Sequence, residues 1–260
     1  MDILVLVKQV PGDLAGVTVT PSHTVDRDAG AQVLNPVDKN ALEAAVTLKE
    51  AHGGTVTVLT LGPASARPIL KECISVGADR GVHVSDEAFA GSDAWGTARV
   101  LAAAAGSLGA FDVVLAGARS YDGGTAAVAP MVAELLGLPQ VTNVTGIESA
   151  DGSLVCRQAL DDGQVLVKVA LPAVVTVDEY INKPRYASVK SKMAANKATF
   201  DVLTSADLAI DGSAGLAGSV ATVVSASAPA ARAAGVVIDG GSPAEIAEKL
   251  VAALAAASVL

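Results

Sequence analysis

A chain of 260 residues carries 27 acidic and 18 basic side chains, for a formal charge of −9, and is 51% hydrophobic but only 3% aromatic. That charge excludes a nucleic-acid partner, whose phosphates demand clustered Lys and Arg. The mean hydropathy of +0.48 is high, yet no run approaches the roughly 20 apolar residues a spanning helix needs, so no membrane insertion is expected.

Asp2 leads straight into Ile3–Val7 without a small-residue cleavage site, and the chain reads as cytoplasmic. The two cysteines, Cys73 and Cys156, form no Cys-x-x-Cys pair and His is scarce, so no metal site is expected and both thiols read as small buried hydrophobes.

Short apolar runs alternate with helical patterns. Ile3–Val7 reads as a buried strand, 12–34 as a polar excursion, and Asn35–Val46 as an amphipathic helix with Pro36 near its start. Thr55–Leu61 is a second strand, followed by a helix that stops at Gly77. His83–Ser85 is a third, 93–108 is helical, Asp112–Ala116 is a fourth strand, and 125–136 is helical again. This β-loop-α succession predicts a parallel sheet covered by helices on both faces.

Beyond residue 140 the pattern becomes antiparallel, with Asp151-Gly152 and Asp162-Gly163 as turns between strands at 141–147, 153–159 and 164–170. Ala173–Val177 is another buried strand, 182–197 reads as basic and irregular, and 211–234 as a linker or arm. Ser242-Pro243-Ala244-Glu245 is a capping box opening a terminal helix. The expected division is a nucleotide-binding domain over 1–200 and a C-terminal arm over 201–260.

No catalytic constellation, Walker phosphate loop or strict Gly-x-Gly-x-x-Gly fingerprint is present. Ligands of parallel α/β sheets bind beyond the carboxyl ends of the strands, which selects the loops after Val7, Leu61 and Ala116. The loop Gly117–Thr125 combines glycines, Arg119 and a following helix whose free N–H groups suit phosphate, although an ordinary polar turn has the same composition. Asn35–Asp38 is a second candidate, although from these residues alone the plainer reading prevails, Asn35 as a helix cap and Asp38 as a dipole-favoured acid. Asp79-Arg80 reads as a surface ion pair. Lys183, Arg185, Lys190, Lys192 and Lys197 form a basic stretch, either solvated or a docking surface for acidic partners.

Seven collinear runs carry a family resemblance: VLVKQVP at 5–11, LNPVDKNALEAA at 34–45, GP at 62–63, VGADRGVHV at 76–84, FDVVLAG at 111–117, YDGGTAAVAPMVAELLGLPQVT at 121–142 and LPAVVTVDEYINKPRYASVKSKMAANK at 171–197. Over roughly residues 1–210 the chain resembles the beta subunits of electron transfer flavoproteins, including FixA-type relatives. The resemblance implies an α/β fold related to the adenine nucleotide alpha hydrolases (Rossmann-like), with an antiparallel extension and a C-terminal arm. It implies a larger alpha subunit sharing an FAD, electron delivery from acyl-CoA-type or similar dehydrogenases, and an electron carrier rather than an enzyme.

Carried over by position, an adenine nucleotide would touch Leu6, Val7, Asn35, Pro36, Val37, Asp38, Leu61, Ser120, Tyr121, Asp122, Val128 and Pro130, with phosphates near Gly123, Gly124 and Thr125. The family's dehydrogenase-recognition loop matches Asn182, Pro184, Arg185, Tyr186 and Val189, with Val189 where Leu is usual. The nucleotide is AMP in one branch and a second FAD in the electron-bifurcating branch. Asn-Pro-x-Asp at 35–38 and Asp-Gly-x-Thr-Ala at 122–126 resemble the bifurcating branch, while Gly124, Ala127 and Ala129 depart from its usual Asp, Gln and Gly. A stand-alone adenine-nucleotide sensor of the universal-stress type is the alternative. An ATP-pyrophosphatase ligase is disfavoured, because Lys8–Pro11 stands where its phosphate loop would be.

Overall fold

The computed structural model describes residues 1–13, 17–21, 23–26, 30–210, 214–227 and 234–260. They form two compact units, Met1–Val224 and Ser225–Leu260.

The first unit is built on β1 (Ile3–Leu6), whose four residues are all buried. A strand buried on both faces must be apolar at every position, which is why this run shows no alternation. A short hairpin of β2 (Gln9–Pro11) and β3 (Gln32–Leu34) follows, then α1 (Pro36–His52). Next come β4 (Val56–Leu61), α2 (Arg67–Val76), β5 (Arg80–Val84), α3 (Ala94–Leu108), β6 (Val113–Gly117) and α4 (Val128–Leu136). The chain continues through β7 (Gln140–Ala150), β8 (Ser153–Leu160), β9 (Gly163–Ala170) and β10 (Ala173–Val177). It ends with α5 (Val189–Ala195) and β11 (Asp201–Leu203).

Nine strands form one sheet in the order β11-β5-β4-β1-β6-β10-β7-β8-β9. Every pair from β11 to β7 is parallel, and β7, β8 and β9 are antiparallel. The fold is thus the expected α/β architecture with an antiparallel extension. Alternate residues of β1 face opposite cores: Ile3 and Val5 pack with α1 and α2, whereas Leu4 and Leu6 pack with α3 and α4. The helices over Leu4 and Leu6 contribute mostly alanine, including Ala98, Ala102, Ala105 and Ala133, and small side chains let helix and sheet approach closely. Both cysteines are buried, and burial pushes the Cys156 thiol up to about 11 and Cys73 beyond that.

Four elements differ from the sequence reading. The helix expected from Thr125 begins at Val128, because Ala126 sits in the left-handed region at φ 53°. The stretch 182–197 is not wholly irregular: Ser188 caps the seven-residue helix α5. The edge strand β11 was not foreseen; Phe200 lays its ring on Gly81 of β5 and brings it to the sheet. Asp79 and Arg80 do not pair with each other, since Asp79 meets Lys49 and Arg80 meets Asp201.

Within the stretch read as a linker, residues 211–213 and 228–233 lie outside the described residues. Val220 and Ala221, by contrast, donate backbone N–H groups to Asp93 at the start of α3. The second unit contains α6 (Pro243–Ala256), opened by the anticipated capping box of Ser242 and Glu245.

Phe200 is 8% exposed and the Arg67 guanidinium lies 5.6 Å from its ring centroid. Replacing Phe200 with Ala is expected to lower the unfolding free energy by about 3 kcal/mol, read from the urea midpoint.

Candidate functional site

The exits of β1 and β6 and the first turn of α1 meet at the carboxyl edge of the sheet, where parallel α/β proteins place their ligands. Asn35 precedes α1 and is 1% exposed, but its side chain does not cap its own helix. Its Oδ1 accepts from Tyr121 N at 3.1 Å, and its Nδ2 donates to Arg119 O at 3.0 Å and to Asp38 Oδ1 at 2.9 Å. One amide therefore holds the loop after β6 against the start of α1.

Asp38, 5% exposed, continues this tie. Its Oδ2 accepts from Lys8 N at 2.8 Å and its Oδ1 from Gly117 N at 3.2 Å. The contact requires glycine at 117, since a β-carbon there would collide with Asp38 Oδ1. Burial pushes the Asp38 carboxyl up to about 7, while the donors from Asn35, Lys8 and Gly117 pull it back towards the ionised form.

Lys8, at the exit of β1, reaches the same loop. Its Nζ donates to Asp122 Oδ1 at 2.7 Å and to Ser120 Oγ at 3.3 Å. Asp122 Oδ1 also accepts from Gly123 N at 2.8 Å. Gly124 follows at φ +63°, with nothing near the position a β-carbon would take. No side chain caps α4 at Ala127, and Pro130 has no N–H to need one. An open glycine turn running into an uncapped helix start fits an anionic group such as a phosphate.

A crevice of about 150 Å³ lies here between Val37, Arg119, Gly124 and Ala126 on one side and Asn143, Asp178 and Glu179 on the other. A larger cleft of about 440 Å³ lies between the β2–β3 hairpin and α2, lined by Gln9, Leu34, Lys39, Ser65, Ile69 and Glu72.

Of the residues named from sequence, the structure brings together Asn35, Val37, Asp38 and Ser120–Gly124. Leu6 and Val7 turn their side chains into the core, leaving only backbone at the strand exit. Leu61 ends β4 beside Gly62, whose carbonyl lies 3.0 Å from His83 Nε2. Val128 and Pro130 lie in the first turn of α4. Sequence reasoning passed over Lys8, Asn143, Asp178 and Glu179. Asp178 and Glu179 were within reach of the strand-end rule, since they directly follow β10; Asn143 bears no such signal, lying within β7 at φ 53°.

The 182–189 segment is anchored on the same helix α1. Asn40 Nδ2 donates to Asn182 O at 2.9 Å, and Asn182 Nδ2 donates back to Asn40 O at 2.9 Å. Arg185 pairs with Glu43 at 2.9 Å and with Glu50 at 2.6 Å, which raises the pKa of the guanidinium and lowers that of Glu50. Beyond these anchors Tyr186 and Val189 stand 92% and 77% exposed.

No helix among the described residues is long and apolar enough to cross a membrane, and no group of acidic, His or Cys side chains there is arranged to hold a metal ion.

The family model described as the electron transfer flavoprotein domain matches residues 22–208. An electron transfer flavoprotein subunit beta of Thermoanaerobacterium thermosaccharolyticum is 40% identical over 92% of this chain and 93% of its own length. The subunit CarD of the caffeyl-CoA reductase-Etf complex of Acetobacterium woodii is 38% identical over 98% of both chains. The acryloyl-CoA reductase electron transfer subunit gamma of Anaerotignum propionicum is 39% identical over 74% of this chain and 73% of its own. With Asn35, the Asp122-Gly123 turn and the 182–189 segment all seated within the matched region, the chain belongs to the electron transfer flavoprotein family, as a subunit of the beta type.

Proposed function

We propose that this chain binds an adenine nucleotide across the exits of β1, β4 and β6, and that with a larger alpha subunit it passes electrons from a dehydrogenase to an acceptor. The observation that carries the reading is the Asn35–Asp38 tie, which gathers three separate segments around the 118–127 loop. Such a satisfied buried polar network rigidifies the strand-exit edge, where parallel α/β sheets bind their ligands. Phosphate falls at Gly123, Gly124 and Thr125, the adenosine near Asn35, Val37 and Leu61, and Lys8 supplies nearby positive charge.

Flavin, when bound, supplies the redox chemistry; the residues of this chain orient it, exclude water and set its electrostatic surroundings, without making or breaking bonds themselves. Two FAD per heterodimer, as in the bifurcating branch, is the preferred occupancy, and AMP in the beta site is the alternative. The runs Asn-Pro-x-Asp at 35–38 and Asp-Gly-x-Thr-Ala at 122–126 carry that preference.

The dehydrogenase docks on the exposed side of the 182–189 segment, through Tyr186 and Val189 with Pro184 shaping the turn. Asn182 and Arg185 serve as its internal anchors rather than as contacts. The terminal unit packs on the partner subunit: Ile246, Leu250 and Leu254 of α6 recur at four-residue spacing along one stripe, and no residue of that helix is buried within this chain. The protein works in the cytoplasm.

Four outcomes are expected. Acid release of cofactors from the co-expressed heterodimer gives two FAD and no AMP; one FAD with one AMP would move the chain to the simple-carrier branch, and no adenine nucleotide would sink the site. The isolated chain binds flavin poorly and exposes apolar surface to a hydrophobic dye, whereas a stable flavin-loaded monomer on size exclusion would contradict the shared site. Tyr186→Ala weakens electron transfer from the dehydrogenase without changing thermal stability. Arg185→Ala weakens it too, and also increases protease cleavage within 182–197, because the loop loses its hold on Glu43 and Glu50.

A further inference from the structure

We propose that Asp38 is the positioning residue of the nucleotide site: a single ionised carboxylate that ties the exits of β1 and β6 to Asn35, so that gaining a proton loosens the cradle and weakens nucleotide binding. The inference rests on the nucleotide reading above and adds to it a residue role and a pH dependence.

Both carboxylate oxygens of Asp38 are engaged as acceptors, by the backbone N–H of Lys8, the backbone N–H of Gly117 and the amide of Asn35. Three donors from three segments point at one side chain that has no water to fall back on. The ionised carboxylate satisfies all of them at full acceptor strength. A proton on Oδ2 weakens its hold on the Lys8 N–H, a proton on Oδ1 competes with the Gly117 and Asn35 donors, and the NH2 of an asparagine sets a donor against a donor. The segment released is then the exit of β1, which carries Lys8, or Gly117, where the nucleotide loop begins.

Other charged groups surround this carboxylate. Lys8 at the exit of β1 holds its ammonium on Asp122. Arg119, Tyr121 and Asp122 lie in the loop after β6. Lys39, on the same helix, pairs with Glu72 of α2. Cys73 of α2 is held up mainly by burial and in part by the negative charges of Glu72 and Asp38.

Burial lifts the Asp38 carboxyl from 3.8 to about 7. Between these values the folded chain keeps a proton that the unfolded chain has released. The residue's contribution to stability therefore falls as pH rises through that window. Ligand binding has the opposite sign, because the ionised form is the one that holds the cradle. A side chain kept only for the fold would show no such opposition.

The test is calorimetric titration of the co-expressed heterodimer, freed of its beta-site nucleotide, with ADP-ribose, whose pyrophosphate diester keeps a constant charge across neutrality. The wild-type affinity is expected to rise about tenfold from about pH 6 to about pH 8, while Asp38→Asn binds weakly and independently of pH. Thermal melts over the same range are expected to show the wild type losing stability relative to Asp38→Asn as pH rises. A wild-type affinity that is flat with pH overturns the inference on its own, even if the variant fails to fold. An Asp38→Asn or Asp38→Ser chain that keeps the wild-type profile overturns it too, and leaves the nucleotide reading standing. A wild-type heterodimer that takes no ADP-ribose at any pH overturns both.

Discussion

A carboxylate withdrawn from water at the ligand edge of the sheet is the constraint on which the site depends. Asp38 has no solvent to stabilise its charge, so the backbone must come to it, and the N–H groups of Lys8 and Gly117 do so from two neighbouring strands. That demand explains several choices at once. Position 117 must be glycine, α1 must begin where Asn35 can reach both Asp38 and the loop, and β1 must stop at Leu6 so that the next residues can turn towards α1. The apolar core gives the sheet its stability, while this buried polar group fixes the relative placement of its ends.

The loop after β6 is organised by the same logic at smaller scale. Asp122 takes the ammonium of Lys8 and the N–H of Gly123 on one oxygen, so the turn holds its shape with the open side of Gly124 facing outward. The delayed start of α4 at Val128 belongs to this arrangement: the left-handed residues Gly124 and Ala126 keep Thr125 and Ala127 out of the helix. A helix begun at Thr125 would have closed the turn.

Much of this was legible in the sequence, because uninterrupted apolar runs such as Ile3–Val7 and Asp-Gly turns at 151–152 and 162–163 are signals of local origin. The sheet, its antiparallel extension and the three strand-exit loops follow from them. What escaped reading depends on distant partners. Asn35 sits where a cap belongs, and local rules cannot tell that its side chain is engaged 86 residues away at Tyr121. Strand β11 has only three residues, too few for a periodic signal, and exists because Phe200 finds a glycine on β5. The sequence places Arg185 in a solvated or docking stretch, and only the fold shows α1 setting Glu43 and Glu50 beside it.

Helix α1 therefore serves two masters in successive turns: Asn35 and Asp38 hold the loop after β6, and Asn40, Glu43 and Glu50 hold the 182–189 segment. Two surfaces that share one rigid rod cannot diverge independently over evolutionary time. A substitution that shifts or rotates α1 at one end is tested immediately at the other, so the loop after β6 and the 182–189 segment are expected to change together along a lineage or not at all.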